Sequence, residues 1–360
     1  MSSASEKDAQ GRVPPRVAPV GNRSYVAGET HAALRRQTIP QMLKETVAHY
    51  GSQDAVIFPL NGIRLTYSEF DRRVDRLAAG LLSLGLEKGD RIGIWSPNNL
   101  GWVLAQYATA RIGLILVNIN PAYRLSELEY ALNKSGCRAL ILADSFKTSD
   151  YLAMIRSLVP ELETAEPGKL KSAKLPQLEI VIGITDNPGS GIYPFAEVEA
   201  MGKSADLARL DEITASLSPD DPINIQFTSG TTGAPKGATL THYNIVNNAA
   251  HTVGRMNFTE QDRLCIPVPL YHCFGMVMGS LGCVSTGSAM IFPGEAFDPD
   301  DTLKAAALGR CTGLYGVPTM FVAMVDNPLL KELDLSSLRT GVMAGAPCPI
   351  EVMRKVIDRL

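Results

Sequence analysis

The chain runs to 360 residues with a formal net charge of −3, and 45% of its residues are hydrophobic and 20% charged. That length suffices for about two cored domains, and no basic excess points to a nucleic-acid backbone. No apolar run is long enough to span a bilayer, and the N-terminal stretch lacks the apolar segment of a secretory signal.

Residues 1–35 are rich in Ser, Pro, Arg and Gly. Arg12, Arg16 and Arg23 suit an organellar presequence, but Glu6, Asp8 and Glu29 oppose it, and Pro14 and Pro15 interrupt an early helix. The expectation is a disordered tail on a cytosolic protein, with the mitochondrial matrix as the alternative. Beyond it, Ala55–Phe58 reads as a strand, and Ser68 is expected to cap a helix in which Phe70, Val74, Leu77, Leu81 and Leu84 recur at helical spacing. Gly85 ends that helix, and Asp90 leads into the strand Arg91–Trp95. A helix over 98–112, a strand at Leu114–Val117, a helix over 126–134 and a strand at Ala139–Leu142 follow.

This strand–helix rhythm predicts an α/β fold of right-handed βαβ units, with mostly parallel sheets and helices on both faces. It breaks between about 159 and 220, where prolines and glycines punctuate the chain around one expected strand, Leu178–Ile182. A lobe boundary is therefore expected there, with lobes over 36–218 and 219–360. The alternation resumes with strands at 223–227, 263–267, 289–292, 313–315 and 340–343. Helices are expected from 243, through 275–285, near 300–308, from Pro318 and over 349–360. The six cysteines form no C-x-x-C pair and read as reduced, packed thiols.

Chemistry concentrates after the strand 223–227. Thr228, Ser229, Thr231 and Thr232 supply hydroxyls; Gly230, Gly233 and Gly237 let backbone N–H groups turn toward one point; Lys236 adds a mobile charge. A hairpin turn beside a solvated lysine is the ordinary alternative, but the density of donors favours an oxyanion clamp for a phosphate chain. A Walker A loop is disfavoured, because Pro235 precedes the lysine, Gly237 follows it, and Ala238–Leu240 reads as a strand.

The run Thr228-Ser-Gly-Thr-Thr-Gly-Ala-Pro-Lys-Gly237 resembles the signature of the adenylate-forming (AMP-binding) superfamily. The likeness extends in order over 45–360, through Leu65-Thr66-Tyr67, Lys88-Gly89-Asp90-Arg91, Asn118-Ile119-Asn120-Pro121, Thr239–Asn244, Leu270-Tyr271-His272, Gly316–Phe321 and Ala344–Pro347. Asp221–Phe227 and His242–Asn248 resemble the medium-chain fatty acid ligases called acyl-CoA synthetase family member 2.

The resemblance implies a two-step reaction using ATP, Mg2+ and coenzyme A. A fatty acid attacks the α-phosphate of ATP to give acyl-AMP and pyrophosphate, and coenzyme A then displaces AMP. It assigns Thr228–Gly233, Lys236 and Gly237 to the ATP phosphates. Tyr271, His272, Gly316, Val317 and Pro318 fall to the acyl pocket, and Gly345, Ala346 and Pro347 to adenine contact. Tyr271 through Met278 contains no acidic residue to pair an amino acid's ammonium, so an apolar acyl chain is expected.

The family's Tyr-Gly-x-Thr-Glu and Thr-Gly-Asp segments do not occur, so no metal ligand or complete catalytic set is expected in these residues. The expectation is a partial ligase, ending before the lid domain and inactive alone. The alternatives are a non-catalytic nucleotide- or acyl-binding module, or an adenylate-former with another acceptor.

Overall fold

A computed structural model describes residues 33–204, 207–228 and 235–360; most of the expected tail and residues 229–234 of the loop lie outside the described residues. The first half supplies strands β1 (Asp54–Phe58), β2 (Ile63–Thr66), β3 (Arg91–Trp95), β4 (Ile115–Ile119) and β5 (Cys137–Ala143). A small ribbon, β6 (Ser145–Phe146) and β7 (Ser149–Asp150), precedes β8 (Ile180–Ile184) and β9 (Tyr193–Pro194). Then come β10 (Pro222–Thr228), β11 (Lys236–Thr241), β12 (Arg263–Cys265), β13 (Ala289–Ile291), β14 (Gly313–Gly316) and β15 (Thr340–Met343).

These strands build a seven-stranded sheet, ordered β11-β10-β4-β3-β5-β8-β9, and a six-stranded sheet, ordered β15-β14-β12-β13-β1-β2. All neighbours in them run parallel except the hairpins β10/β11 and β1/β2. The α/β class with mostly parallel sheets is therefore observed. Both sheets draw strands from either side of residue 218: β1 and β2, from the expected 36–218 lobe, join the six-stranded sheet, while β10 and β11, from the expected 219–360 lobe, join the seven-stranded one. The Pro-rich junction is a connection, and parallel pairing of Asn224 with Leu116 across β10/β4 carries the chain back into the earlier sheet. Residues 36–360 form one compact unit.

Alternation along the strands assigns each face to a different core. Ile92 and Ile94 of β3 join Val56 of β1 in a core between the sheets, together with helices Tyr67–Ser83 and Leu100–Arg111. The second helix is buried at every residue from Gly101 to Arg111, as expected of a helix covered all round. Trp95, Val117 and Leu140 face the other way, onto helices Leu125–Ser135 and Tyr151–Leu158. Ile57, Cys265 and Leu314 form a third core with helices Pro299–Leu308 and Pro318–Val325.

Several boundaries differ from expectation. Thr66, not Ser68, caps the first long helix, because its side chain accepts from Glu69 N while the Glu69 carboxylate receives the Thr66 N–H. The helix expected over 275–285 opens as a π-helical segment, Phe274–Leu281, before an α-helical turn, Gly282–Thr286. Helices Phe195–Met201 and Leu207–Ala215 fill the span read as irregular. All six cysteines are free; four are buried, Cys273 is half-buried and Cys348 is exposed.

Candidate functional site

The Gly/Thr loop crowns the β10/β11 hairpin. Phe227 pairs with Gly237 and Thr228 with Lys236, so the loop's first hydroxyl and its only lysine face each other across the stem. The Thr228 hydroxyl donates to the Lys236 carbonyl at 3.4 Å, and both residues are exposed. A Cβ at Gly237 would stand 3.0 Å from Ile225 Cγ2, so glycine keeps this turn of the strand tight. Tyr130, on helix Leu125–Ser135, donates its hydroxyl to the Pro235 carbonyl at 3.1 Å and sets its ring edge-on to Phe227 at 6.5 Å. The loop thus leaves the exposed end of strand β10 and is held at its exit. Ser229, Gly230, Thr231, Thr232 and Gly233 lie outside the described residues. After Lys236 the chain continues as strand β11, and a helix begins only at His242, the opposite of the Walker A arrangement.

Tyr271, His272 and Cys273 lead into the π-helical segment, a form of helix that recurs at functional sites. Gly275 is required there, because a Cβ would fall 2.5 Å from the Pro269 carbonyl oxygen. His272 Nδ1 accepts the Phe274 N–H at 3.1 Å, and partial desolvation lowers the ring's pKa, so the imidazole is neutral with its Nε2 protonated. Burial raises the pKa of Tyr271 and of the Cys273 thiol. None of the three side chains is charged near neutral pH, which makes this stretch an apolar wall with polar tips. Phe274 packs against Tyr315 with ring centroids 5.1 Å apart, and the Tyr315 hydroxyl donates to the Met278 carbonyl at 3.2 Å.

Tyr315 thereby ties the wall to β14. The C-terminal ends of the neighbouring parallel strands β14 and β15 carry the remaining predicted residues, at the sheet edge where open α/β folds place ligands. Ala344 N donates to the Gly316 carbonyl at 3.2 Å, and a Cβ at Gly345 would meet Val317 Cγ1 at 3.2 Å. Gly345 has φ +88°, a left-handed conformation that favours glycine, and Gly345, Ala346 and Pro347 are all exposed. Val317 is half-buried and Pro318 is buried as the first residue of its helix. The structure thus links the segment that follows His272 to β14 through Phe274, Met278 and Tyr315, and sets Gly316 and Val317 beside Ala344 and Gly345.

Three buried amides were given no role in the sequence, Asn118 entering only as part of a matching segment. Asn98, Gln106 and Asn118 are each under 4% exposed, and all hydrogen-bond backbone atoms between Val268 and Met276. For Gln106 and Asn118 the available signal was a polar residue inside an apolar helix or strand; Asn98 sits in the bend before the helix. Among the described residues no three His, Cys, Asp or Glu side chains are grouped to hold a metal ion. No described helix is long and apolar enough to cross a membrane.

A sequence model of the family described as "AMP-binding enzyme" matches residues 43–360. The medium-chain acyl-CoA ligase ACSF2, mitochondrial, of Danio rerio is 47% identical over 347 residues, covering 96% of this chain and 57% of that protein. The chain therefore spans a little over half the length of that relative. Among solved structures, the inhibitor-bound N-terminal domain of FACL13 from Mycobacterium tuberculosis superposes with a TM-score of 0.74 at 25% identity, over 89% of this chain and 73% of that one. ATP-bound MatB from Rhodopseudomonas palustris gives 0.72 at 25% identity, over 90% and 58%.

Proposed function

Because the chain belongs to the AMP-binding enzyme family, we propose that it is the nucleotide- and acyl-gripping portion of a fatty acid–CoA ligase. The observation that carries this reading is the pairing of Thr228 with Lys236 at the mouth of the Gly/Thr loop. A carboxylate attacking the α-phosphate of ATP must approach another anion, so positioning and charge shielding supply most of the catalysis. Lys236 and the loop's N–H and hydroxyl groups would hold the β- and γ-phosphates, the pyrophosphate that leaves. Gly345, Ala346 and Pro347 would meet the adenine. Lys236 and the loop's donors would supply part of that shielding.

The acyl group would lie against Tyr271, His272 and Gly316–Pro318, with coenzyme A as the later acceptor. The wall from Tyr271 to Met278 holds no carboxylate, which supports a medium- or long-chain fatty acid over an amino acid. The Danio rerio relative is named as mitochondrial, which supports the mitochondrial alternative for this chain over a cytosolic one.

These 360 residues contain neither a Thr-Gly-Asp nor a Tyr-Gly-x-Thr-Glu segment. Loss of one preorganised electrostatic partner typically costs about 100- to 1,000-fold in turnover. The 360-residue polypeptide is therefore expected to bind nucleotide weakly and to form no acyl-CoA. Coupled assay of AMP release decides between an active and an inactive chain. Release that requires both octanoate and coenzyme A would contradict the inactive reading.

A further inference from the structure

The acyl wall belongs to the chain around the six-stranded sheet, yet its backbone is gripped by the side chain of Asn118 from the seven-stranded one. Asn118 lies on β4, a strand buried at every residue, and is itself only 2% exposed. Its Nδ2 donates to the Tyr271 carbonyl at 3.0 Å and contacts the Met276 sulfur at 3.3 Å. Its Oδ1 accepts from Asn224 Nδ2 at 2.9 Å, and Asn224 Nδ2 also donates to the Leu116 carbonyl at 2.8 Å. Those bonds fix the orientation of the Asn118 amide, since turning it over would set two NH2 groups against each other.

Asn224 stands on β10 and shares a face, by strand alternation, with Thr228, the residue that opens the Gly/Thr loop. Two further amides grip the adjoining backbone, Asn98 just ahead of the wall and Gln106 within it. Asn98 Oδ1 accepts from Leu270 N at 2.7 Å while its Nδ2 donates to the Val268 carbonyl at 3.0 Å. Gln106 Nε2 donates to the Met276 carbonyl at 3.3 Å. A buried amide is costly unless bonded, and an apolar side chain would fill any of these places without that cost. Three such amides converging on Val268 to Met276 point to a requirement for position rather than for burial.

We propose that Asn118 is a positioning residue that sets the acyl wall in register with the strand carrying the phosphate loop, so that nucleotide binding at the loop and the shape of the acyl pocket are coupled. This rests on the reading of Tyr271 to Met278 as the acyl wall. Asn118 touches neither substrate; it acts through Tyr271 and Met276 on one side and Asn224 on the other.

Hydrogen exchange read by mass spectrometry on the 360-residue chain, with and without ATP, tests this. Asn118→Asp keeps the acceptor for Asn224 and loses both contacts to the wall. In it, amides over 271–278 should exchange about tenfold faster than in the unmodified chain, with β10 still protected. Asn224→Ala, which frees the Asn118 amide to turn, should loosen the same segment by a smaller factor. ATP should slow exchange over 271–278 in the unmodified chain and not in Asn118→Asp, a dependence that a purely structural amide would leave intact. Unchanged exchange over 271–278 in both variants, or ATP protection that survives Asn118→Asp, would overturn the proposal. If ATP slows exchange nowhere in the unmodified chain, the nucleotide-site reading fails instead, and the positioning role stands or falls on the ATP-free rates.

Discussion

The Tyr130 hydroxyl donates to the Pro235 carbonyl at 3.1 Å, fastening the exit of the Gly/Thr loop to a helix packed on the far face of the seven-stranded sheet. A part-buried hydrogen bond of this kind contributes about 0.5–1.5 kcal/mol net. Tyr130→Phe should therefore weaken ATP binding by about three- to tenfold while keeping the ring packed on Phe227. Isothermal titration of ATP into the two proteins measures the difference, and equal affinities would show that the loop needs no such anchor.

Lys236 is exposed at the loop's stem, and its only described partners are backbone ladder groups and the Thr228 hydroxyl. Lys236→Ala should lower affinity for ATP and for inorganic pyrophosphate by about ten- to a hundredfold, the usual range for a charge-assisted contact. Thermal stability should stay within about 1 °C, because the side chain contributes little to packing. Titration and a melting curve on the same preparations check both halves.

Gly275 leaves no room for a side chain, with the Pro269 carbonyl carbon 2.7 Å and its oxygen 2.5 Å from a built Cβ. Gly275→Ala must shift backbone, so it should cost about 1–3 kcal/mol and lower Tm by a few degrees. Gly254, in helix His242–Arg255 with nothing within 4 Å of a built Cβ, is the contrast. Gly254→Ala should raise stability by about 0.5–1 kcal/mol. Differential scanning calorimetry on the pair tests the sign of each.

His242 is fully buried; its Nδ1 accepts the Ile39 N–H at 3.1 Å and its Nε2 has no hydrogen-bond partner among the described residues. Desolvation lowers its pKa from 6.5 to about 4, with Asp221 pulling upward and Lys88 downward. The unfolded chain therefore takes up the proton first as pH falls. The stabilising contribution is complete above pH 6.5 and is lost as pH drops toward about 4. That difference amounts to about 3 kcal/mol. Asp75, raised to about 6 chiefly by burial, acts in the opposite sense, favouring the fold as it protonates below that pH. Denaturant unfolding of the unmodified chain and His242→Asn at pH 7 and pH 4.5 cancels the Asp75 contribution. The gap between the two proteins should shift by a few kcal/mol in favour of the variant at the lower pH.

What was legible in the sequence was local. The loop from Thr228 to Gly237 and the strand after it are contiguous, so donors, glycines and lysine declare themselves without a fold. The βαβ rhythm up to Leu142 was readable because each buried strand and amphipathic helix repeats its own period. Between 159 and 220, short helices such as Phe195–Met201 were hidden by the prolines and glycines that separate them. The lobe boundary misled because β10 pairs with β4 across a separation that no local pattern encodes. The same holds for the wall: Asn118 and Tyr271 lie 153 residues apart, and only the folded chain sets them together.

We propose a site that takes an apolar acyl chain beside a phosphate-gripping loop. Displacement of a fluorescent fatty acid from the 360-residue chain, with octanoate and leucine as competitors in the presence of ATP, tests it most directly. Octanoate should displace the probe at concentrations at least about tenfold lower than leucine, since burying an unpaired ammonium costs several kcal/mol. Displacement by leucine at equal or lower concentration, or none by octanoate, would contradict the account.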